Sequence, residues 1–293
     1  MAPFGEVLTA MITPFTTTGE VDFEQVHRLA LYLVANGSDG IVVAGTTGES
    51  PTLSSAEKVA LFKAVVDAVG SKATVLAGTG TYNTAESIEL TKAAASVGAH
   101  GVMAVTPYYS KPAQNMLVAH FEAIADASDL PVLLYNIPGR TSRLIEVPTL
   151  VRLSEHQRIV AVKDAVDNIV FTSRSRQALP EDFAIYSGSD QMTVPIIAVG
   201  GVGVVSVASH LVGKPIKRMV SAARAGDLHE ATRLHRALMA TFDACFTEPN
   251  PVPLKGAMDV LWEPMGPPRL PLLPAGKATV ESLVEAVGKA QSL

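Results

Sequence analysis

Ile159-Val160-Ala161-Val162-Lys163-Asp164 sets four apolar residues directly before a lysine. A short apolar run closed by polar residues reads as a strand buried on both faces, the usual condition in a parallel sheet. A lysine ending such a strand faces either solvent or the mouth of a pocket. In the first case its stem lies along apolar wall and its ammonium stays in water. In the second the amine is drawn partly out of water, where its neutral form is easier to reach and can attack a carbonyl carbon to form a Schiff base. No other lysine follows a strand-like apolar run in this way. The rest of the chain decides between the two readings.

Outward from that stretch, strand-like and helix-like segments alternate without a break. Candidate strands lie at 7–12, 40–44, 74–78, 101–105, 132–135, 159–163, 184–187 and 203–206, eight in all. Val59, Phe62, Val66 and Val69 fall at helical spacing and are expected on one buried face. Ser54-Ser55-Ala56-Glu57 has capping-box spacing at the start of that helix, Gly70 closes it, and Asn83-Thr84-Ala85-Glu86 opens the next helix with the same logic. A helix end, a glycine, two residues, a second glycine and a strand recur as Gly37/Gly40, Gly98/Gly101 and Gly200/Gly203. The first glycine suits a left-handed cap and the second a tight start to a barrel strand. Eight strands with this repeat predict an α/β chain folded as a closed (β/α)8 TIM barrel rather than an open doubly wound sheet. After Leu211 the strands stop. Leu228, Ala231, Leu234, Leu238, Phe242 and Cys245 form one long apolar helical face, and a short helix, a proline-rich stretch and a last helix follow. The expected organisation is a catalytic barrel over 1–224 and a C-terminal helical appendage over 225–293.

The chain has 293 residues, 48% of them hydrophobic and 17% charged, which supports a large core and argues against disorder. Its net charge of −5, with no basic cluster, argues against nucleic acid or an anionic membrane as partner. The lone Cys245 cannot close an intrachain disulfide, and the first strand begins by Val7 with no basic and apolar leader before it. These features predict a cytoplasmic protein. The seven histidines show no metal-ligand spacing, so neither a metal nor another cofactor is expected.

In such barrels the working residues sit at the C-terminal ends of strands and in the loops after them. After the second strand, Gly45-Thr46-Thr47-Gly48-Glu49-Ser50 lacks the spacing and lysine of a Walker loop. It reads as a plain turn, or as a cradle aiming N–H groups and hydroxyls at a carboxylate. After the fourth strand come Tyr108 and Tyr109. The fifth ends in Tyr135, a candidate proton shuttle, with Arg140 beyond it as a clamp for a carboxylate or a surface ion pair. The sixth ends in Lys163. After the seventh, Gly188 would let a flat substrate approach the backbone.

Together Thr9-Ala10-Met11-Ile12-Thr13-Pro14-Phe15, the 45–50 loop, Val105-Thr106-Pro107-Tyr108-Tyr109, Tyr135-Asn136-Ile137-Pro138-Gly139-Arg140-Thr141 and Val162-Lys163-Asp164 resemble the dihydrodipicolinate synthase family, within the wider pyruvate-dependent aldolases that include N-acetylneuraminate lyase. The resemblance runs in order over 5–273 and includes 248–255. It implies that Lys163 condenses with pyruvate, that Thr46 and Thr47 hold the pyruvate carboxylate, and that Gly188 and Val205 lie near the substrate. Tyr135 is implied as proton donor and acceptor, linked through Thr46 to Tyr109 of a neighbouring subunit in a homotetramer, a dimer of dimers. Arg140 would meet the carboxylate of L-aspartate 4-semialdehyde, and the implied activity is a 4-hydroxy-tetrahydrodipicolinate synthase of diaminopimelate and lysine biosynthesis. The alternative is an aldolase of the same family acting on a 2-keto-3-deoxy sugar acid or N-acetylneuraminate, which does not normally carry arginine at that place. Ser50, Glu86 and Tyr108 match an allosteric lysine site. Ser55 and Lys58 stand where that site has histidines and Tyr82 where it has asparagine, so weak or absent lysine inhibition is expected.

Overall fold

Eight parallel strands close on themselves in chain order, each paired with the next and the last with the first. The computed structural model describes residues 1–290. The strands are β1 Val7–Ala10, β2 Gly40–Val43, β3 Thr74–Gly78, β4 Gly101–Val105, β5 Val132–Asn136, β6 Ile159–Asp164, β7 Ala184–Ser187 and β8 Gly203–Ser206. Helices follow them as α1 Phe23–Ala35, α2 Ser55–Val69, α3 Thr84–Ser96, α4 Gln114–Ala125, a single turn α5 Pro138–Thr141, α6 Val147–Ser154, α7 Ile169–Ala178, α8 Thr193–Ala198 and α9 Ser209–Arg224. Then come α10 Leu228–Ala244, α11 Val252–Leu261 and α12 Lys277–Ala290, with α10 packed on α9 and α12. The fold is the predicted (β/α)8 barrel followed by C-terminal helices. Among the described residues no helix is long and apolar enough to cross a membrane.

Two apolar layers hold the barrel. Leu8, Val42, Leu76, Leu133, Ala161 and Val205 fill its interior, with Phe4 and Tyr186 among them. Ile41, Val43, Val75, Val132, Ile159 and Val162 point the other way, into the layer shared with the helices. Strand side chains alternate between faces, so both layers come from the same strands.

That alternation breaks once in β6. Val132 pairs with Ile159 and Leu133 with Ala161, which leaves Val160 as an extra residue. Ile159 faces the helices, Val160 and Ala161 both face the interior, and Val162 faces the helices again. A bulge of one residue re-aims everything after it. Without it Lys163 would share the helix-facing side with Ile159.

The glycine repeat is realised. Gly37, Gly98 and Gly200 all take positive φ, at 105°, 83° and 102°. At the strand start, a Cβ on Gly203 would lie 2.0 Å from the Glu6 carbonyl oxygen. On α2 the Ser54 and Glu57 capping box forms as expected. The buried face, however, is Leu61, Phe62, Val65 and Val69, with Val59 and Val66 only half-buried. The contact with α1 and the barrel selects a stripe rotated from the one that the valine spacing suggests. Asn83 caps α3 by accepting from Ala85 and Glu86, but the Glu86 carboxylate turns to the Thr81 hydroxyl instead of closing a box. Leu228, counted in the α10 face, is 53% exposed at the helix start, while Ala231, Leu234, Leu238, Phe242 and Cys245 are buried.

Two buried histidines give the fold an acid limit. His210 donates from Nδ1 to the Val207 carbonyl at 2.8 Å and accepts at Nε2 from the Ile12 amide at 3.2 Å. That is the neutral ring, tying the end of β1 to α9. Burial pushes His210 down to about 4, and His120, held by the Thr84 hydroxyl at 2.8 Å, down to about 4 as well. A folded value below the unfolded one means that the unfolded chain binds more protons as pH falls. Their contribution is complete above the ordinary value of 6.5 and is lost as pH falls through about 4. Each group is worth up to about 3 kcal/mol over that window. Melting temperature against pH is expected to be level above 7 and to fall steeply from 6.5 to 4. A level profile down to pH 4.5 would contradict this.

Candidate active site

Lys163 is 5% exposed and stands opposite Tyr135 on one side and Tyr186 on the other. Its Nζ lies 3.9 Å from the centroid of the Tyr135 ring. The surface-lysine reading therefore fails, and the amine is enclosed at the C-terminal end of the barrel. Behind it Asp190 is buried, accepting from the Ser206 hydroxyl and from the amides of Val207 at 3.0 Å and Ala208 at 3.1 Å. Burial pushes the Asp190 carboxyl up, and those hydrogen bonds and the Lys163 charge oppose it. Beside the lysine on β6, Asp164 accepts from the Thr172 hydroxyl at 2.7 Å and the Val166 amide at 3.0 Å, which fixes the backbone just past it.

A cavity of about 200 Å³ opens beside this amine. Thr46, Tyr135, Arg140, Ser50 and Tyr108 line it. Arg140 is exposed on the α5 turn and forms no ion pair or side-chain hydrogen bond among the described residues. The Thr46 and Tyr135 side chains likewise have no hydrogen-bond partner among the described residues. Asn136 anchors the loop behind them, its amide bonding both the N–H and the C=O of Ile145 at 3.0 Å.

The remaining predicted residues lie around this cavity rather than in its wall. Thr47 is buried, and its Oγ1 accepts from Asn250 Nδ2 at 2.9 Å. Val205 belongs to the interior layer that also holds Tyr135. Gly188 has its own packing reason, since a Cβ there would meet the Ala165 Cβ at 2.6 Å. Tyr109 is 93% exposed and points away, with a positive φ of 67° that is unusual for an aromatic residue. Of the residues expected at a lysine site, Ser50 and Tyr108 line the cavity, and Glu86 accepts from Thr81 at 3.1 Å and Ser55 at 3.4 Å with its charge also reaching Tyr108. Lys58, 4% exposed, is pushed down by burial and held up by the Glu86 charge. Among the described residues no cluster is arranged to hold a metal ion.

Residues 3–290 match the Dihydrodipicolinate synthetase family. The chain belongs to that family. It is 50% identical over 290 residues to the 4-hydroxy-tetrahydrodipicolinate synthase of Desulforudis audaxviator, with 99% of each chain covered. Among solved structures, dihydrodipicolinate synthase of Bacillus anthracis superposes with a TM-score of 0.95 at 46% identity, covering 100% of this chain and 99% of that one. The Cyanidioschyzon merolae enzyme with lysine bound gives 0.97 at 46% identity, with both chains fully covered.

Set among other dihydrodipicolinate synthetase family members, this chain shows a support that residue spacing alone does not reveal. Ala44, just before the 45–50 loop, and Glu49 within it take positive φ of 53° and 56°. Non-glycine residues hold that conformation only when their surroundings impose it. Lys255 of α11 supplies the force: its Nζ is 2.7 Å from Glu49 Oε1, with the side chains 2% and 1% exposed. The two atoms pair by charge without hydrogen-bond alignment. The Arg269 amide donates to Glu49 Oε2 at 2.8 Å, while its guanidinium bonds Glu57 and the Thr52 carbonyl. Phe15 lies beneath both cations, 4.1 Å from Lys255 Nζ and 4.4 Å from Arg269 Cζ. The signal available in sequence was Lys255 itself, a lysine inside the apolar run 252–258.

Proposed function

We propose that this chain is a 4-hydroxy-tetrahydrodipicolinate synthase that condenses pyruvate with L-aspartate 4-semialdehyde through a Schiff base on Lys163. The observation that carries the reading is the enclosed Lys163 amine over the Tyr135 ring, next to a cavity holding Thr46 and Arg140. Lys163 attacks the keto carbon of pyruvate and water leaves. The iminium draws electrons from the methyl group, which loses a proton to give an enamine. The enamine attacks the aldehyde carbon of the semialdehyde. The substrate amine then closes onto the imine carbon and displaces Lys163. Each stage moves a proton, and Tyr135 with Thr46 forms the relay. Thr46 and Thr47 hold the pyruvate carboxylate, with Gly188 and Val205 beside the bound acid. In support, the Thr46 and Thr47 amides donate to no other group among the described residues, leaving N–H groups for an anion.

Borohydride reduction in the presence of pyruvate, followed by peptide mapping, tests the reading. The peptide containing Lys163 gains the mass of reduced pyruvate; an unmodified Lys163 peptide sinks the mechanism. Arg140 supports the semialdehyde over a sugar-acid acceptor, because an unpaired guanidinium at the cavity rim suits a second carboxylate. Arg140→Ala is expected to lower kcat/KM for the semialdehyde by roughly 10–100-fold, the range for a charged hydrogen bond, with pyruvate KM little changed. An unchanged KM and kcat for the semialdehyde would remove this role.

The assembly is a homotetramer in which Tyr109 enters a neighbour's site. Its exposure and held left-handed backbone support a partner that covers it. The compartment is the cytoplasm, in keeping with a single, buried cysteine. As for lysine control, Ser55 and Lys58 stand where the resembled lysine site has histidines and Tyr82 where it has asparagine, so the donors for a bound lysine are changed. Initial rates are expected to resist millimolar lysine. Strong inhibition well below millimolar would contradict this.

A further inference from the structure

Thr47 is one of the points at which the C-terminal segment touches the 45–50 loop. Asn250 lies in the connection between α10 and α11, is 7% exposed, and donates from Nδ2 to Thr47 Oγ1 at 2.9 Å. A threonine hydroxyl has one proton to give and lone pairs to accept with. The Asn250 bond occupies a lone pair. The Thr47 hydroxyl donates to no group among the described residues. Its proton is therefore uncommitted among the described residues, and the direction left to it is set by the bond it accepts. Asn250 Oδ1 is buried without a hydrogen-bond partner, so the amide is held for what its nitrogen does. Two residues along, the Lys255–Glu49 ion pair fastens the other end of the same loop to the same segment of chain.

We propose that Asn250 is a positioning residue for pyruvate: by donating to Thr47 Oγ1 it turns the Thr47 proton toward the substrate carboxylate. The inference rests on the assignment of Thr47 to that carboxylate. It goes beyond that assignment by making the C-terminal helices part of the pyruvate site, and it locates their influence in one hydrogen bond. Asn250 does not touch the substrate, so its removal should move binding of one substrate and leave the chemical step alone.

The test uses the full-length enzyme, with Asn250→Leu, Thr47→Val and the double variant assayed against both substrates. Asn250→Leu keeps the shape and removes the donor. It is expected to raise pyruvate KM about three- to tenfold, the range for one hydrogen bond, with semialdehyde KM and kcat changed by less than about twofold. In the Thr47→Val background the same substitution should add nothing to pyruvate KM, because there is no longer a hydroxyl to orient. Melting temperature is measured alongside. Should Asn250→Leu not fold, Asn250→Ala carries the same comparison. An unchanged or lowered pyruvate KM in a folded Asn250 variant, while Thr47→Val raises it, overturns the proposal and leaves the Thr47 assignment standing. Equal rises for both substrates, or additive effects in the double variant, overturn it as well. If Thr47→Val itself leaves pyruvate KM unchanged, the carboxylate assignment fails and the proposal falls with it.

Discussion

Lys163→Ala is expected to abolish turnover. In the proposed mechanism every later step requires carbon bonded to that nitrogen, so removing it eliminates the electron sink rather than weakening a contact. Arginine does not rescue it, because a guanidinium stays protonated and is no nucleophile at neutral pH. The loss should appear in kcat and also in borohydride trapping, which reports covalent bond formation before the second substrate enters. Folding should survive, since Lys163 makes no side-chain hydrogen bond among the described residues and its contact is with the Tyr135 ring. A folded Lys163→Ala enzyme within about a hundredfold of the parent rate would remove the covalent role. The same substitution separates this chain from a barrel that merely binds pyruvate, because a binding protein would lose little.

The placement of that amine was only partly legible in the sequence. The apolar run before Lys163 identifies a buried strand ending at solvent or at a pocket, and the eight strands with the glycine repeat predict closure of the barrel. Neither shows which way the lysine points. Simple alternation from Ile159 would send it toward the helices, and the interior position comes from the bulge at Val160. A bulge costs the ladder a pairing and has no composition of its own here, since valine fits regular strand equally well. The 45–50 loop has the same character. Its small residues fit a plain turn or an anion cradle, but Ala44 and Glu49 give no sign of a left-handed backbone. Glu49 is held by Lys255 and Arg269 and Thr47 by Asn250, residues brought up by the C-terminal segment. Period and capping describe neighbours along the chain, whereas these contacts depend on where the helices dock. The same limit explains the rotated face of α2, whose stripe is chosen by α1 and the barrel.

Tyr135→Phe isolates the remaining chemical demand, the movement of protons. The substitution removes one oxygen. It leaves the ring beneath Lys163 Nζ, so the 3.9 Å contact that shelters the amine is retained. The Tyr135 hydroxyl has no hydrogen-bond partner among the described residues, so the fold loses no bond when it goes. What is lost is a donor and acceptor at the cavity wall, where iminium formation, methyl deprotonation and release of Lys163 each require a proton transfer. Loss of a positioned acid–base group costs roughly 10²–10⁴ in rate, about 3–5 kcal/mol on the barrier. The fall is expected in kcat, with pyruvate KM altered far less because the carboxylate contacts are untouched. Slower trapping by borohydride at saturating pyruvate would place part of the loss in imine formation itself. A variant whose kcat stays within about threefold of the parent would show that water or Thr46 moves the protons unaided. In that outcome the closeness of Tyr135 to Lys163 would serve only to exclude solvent from the amine.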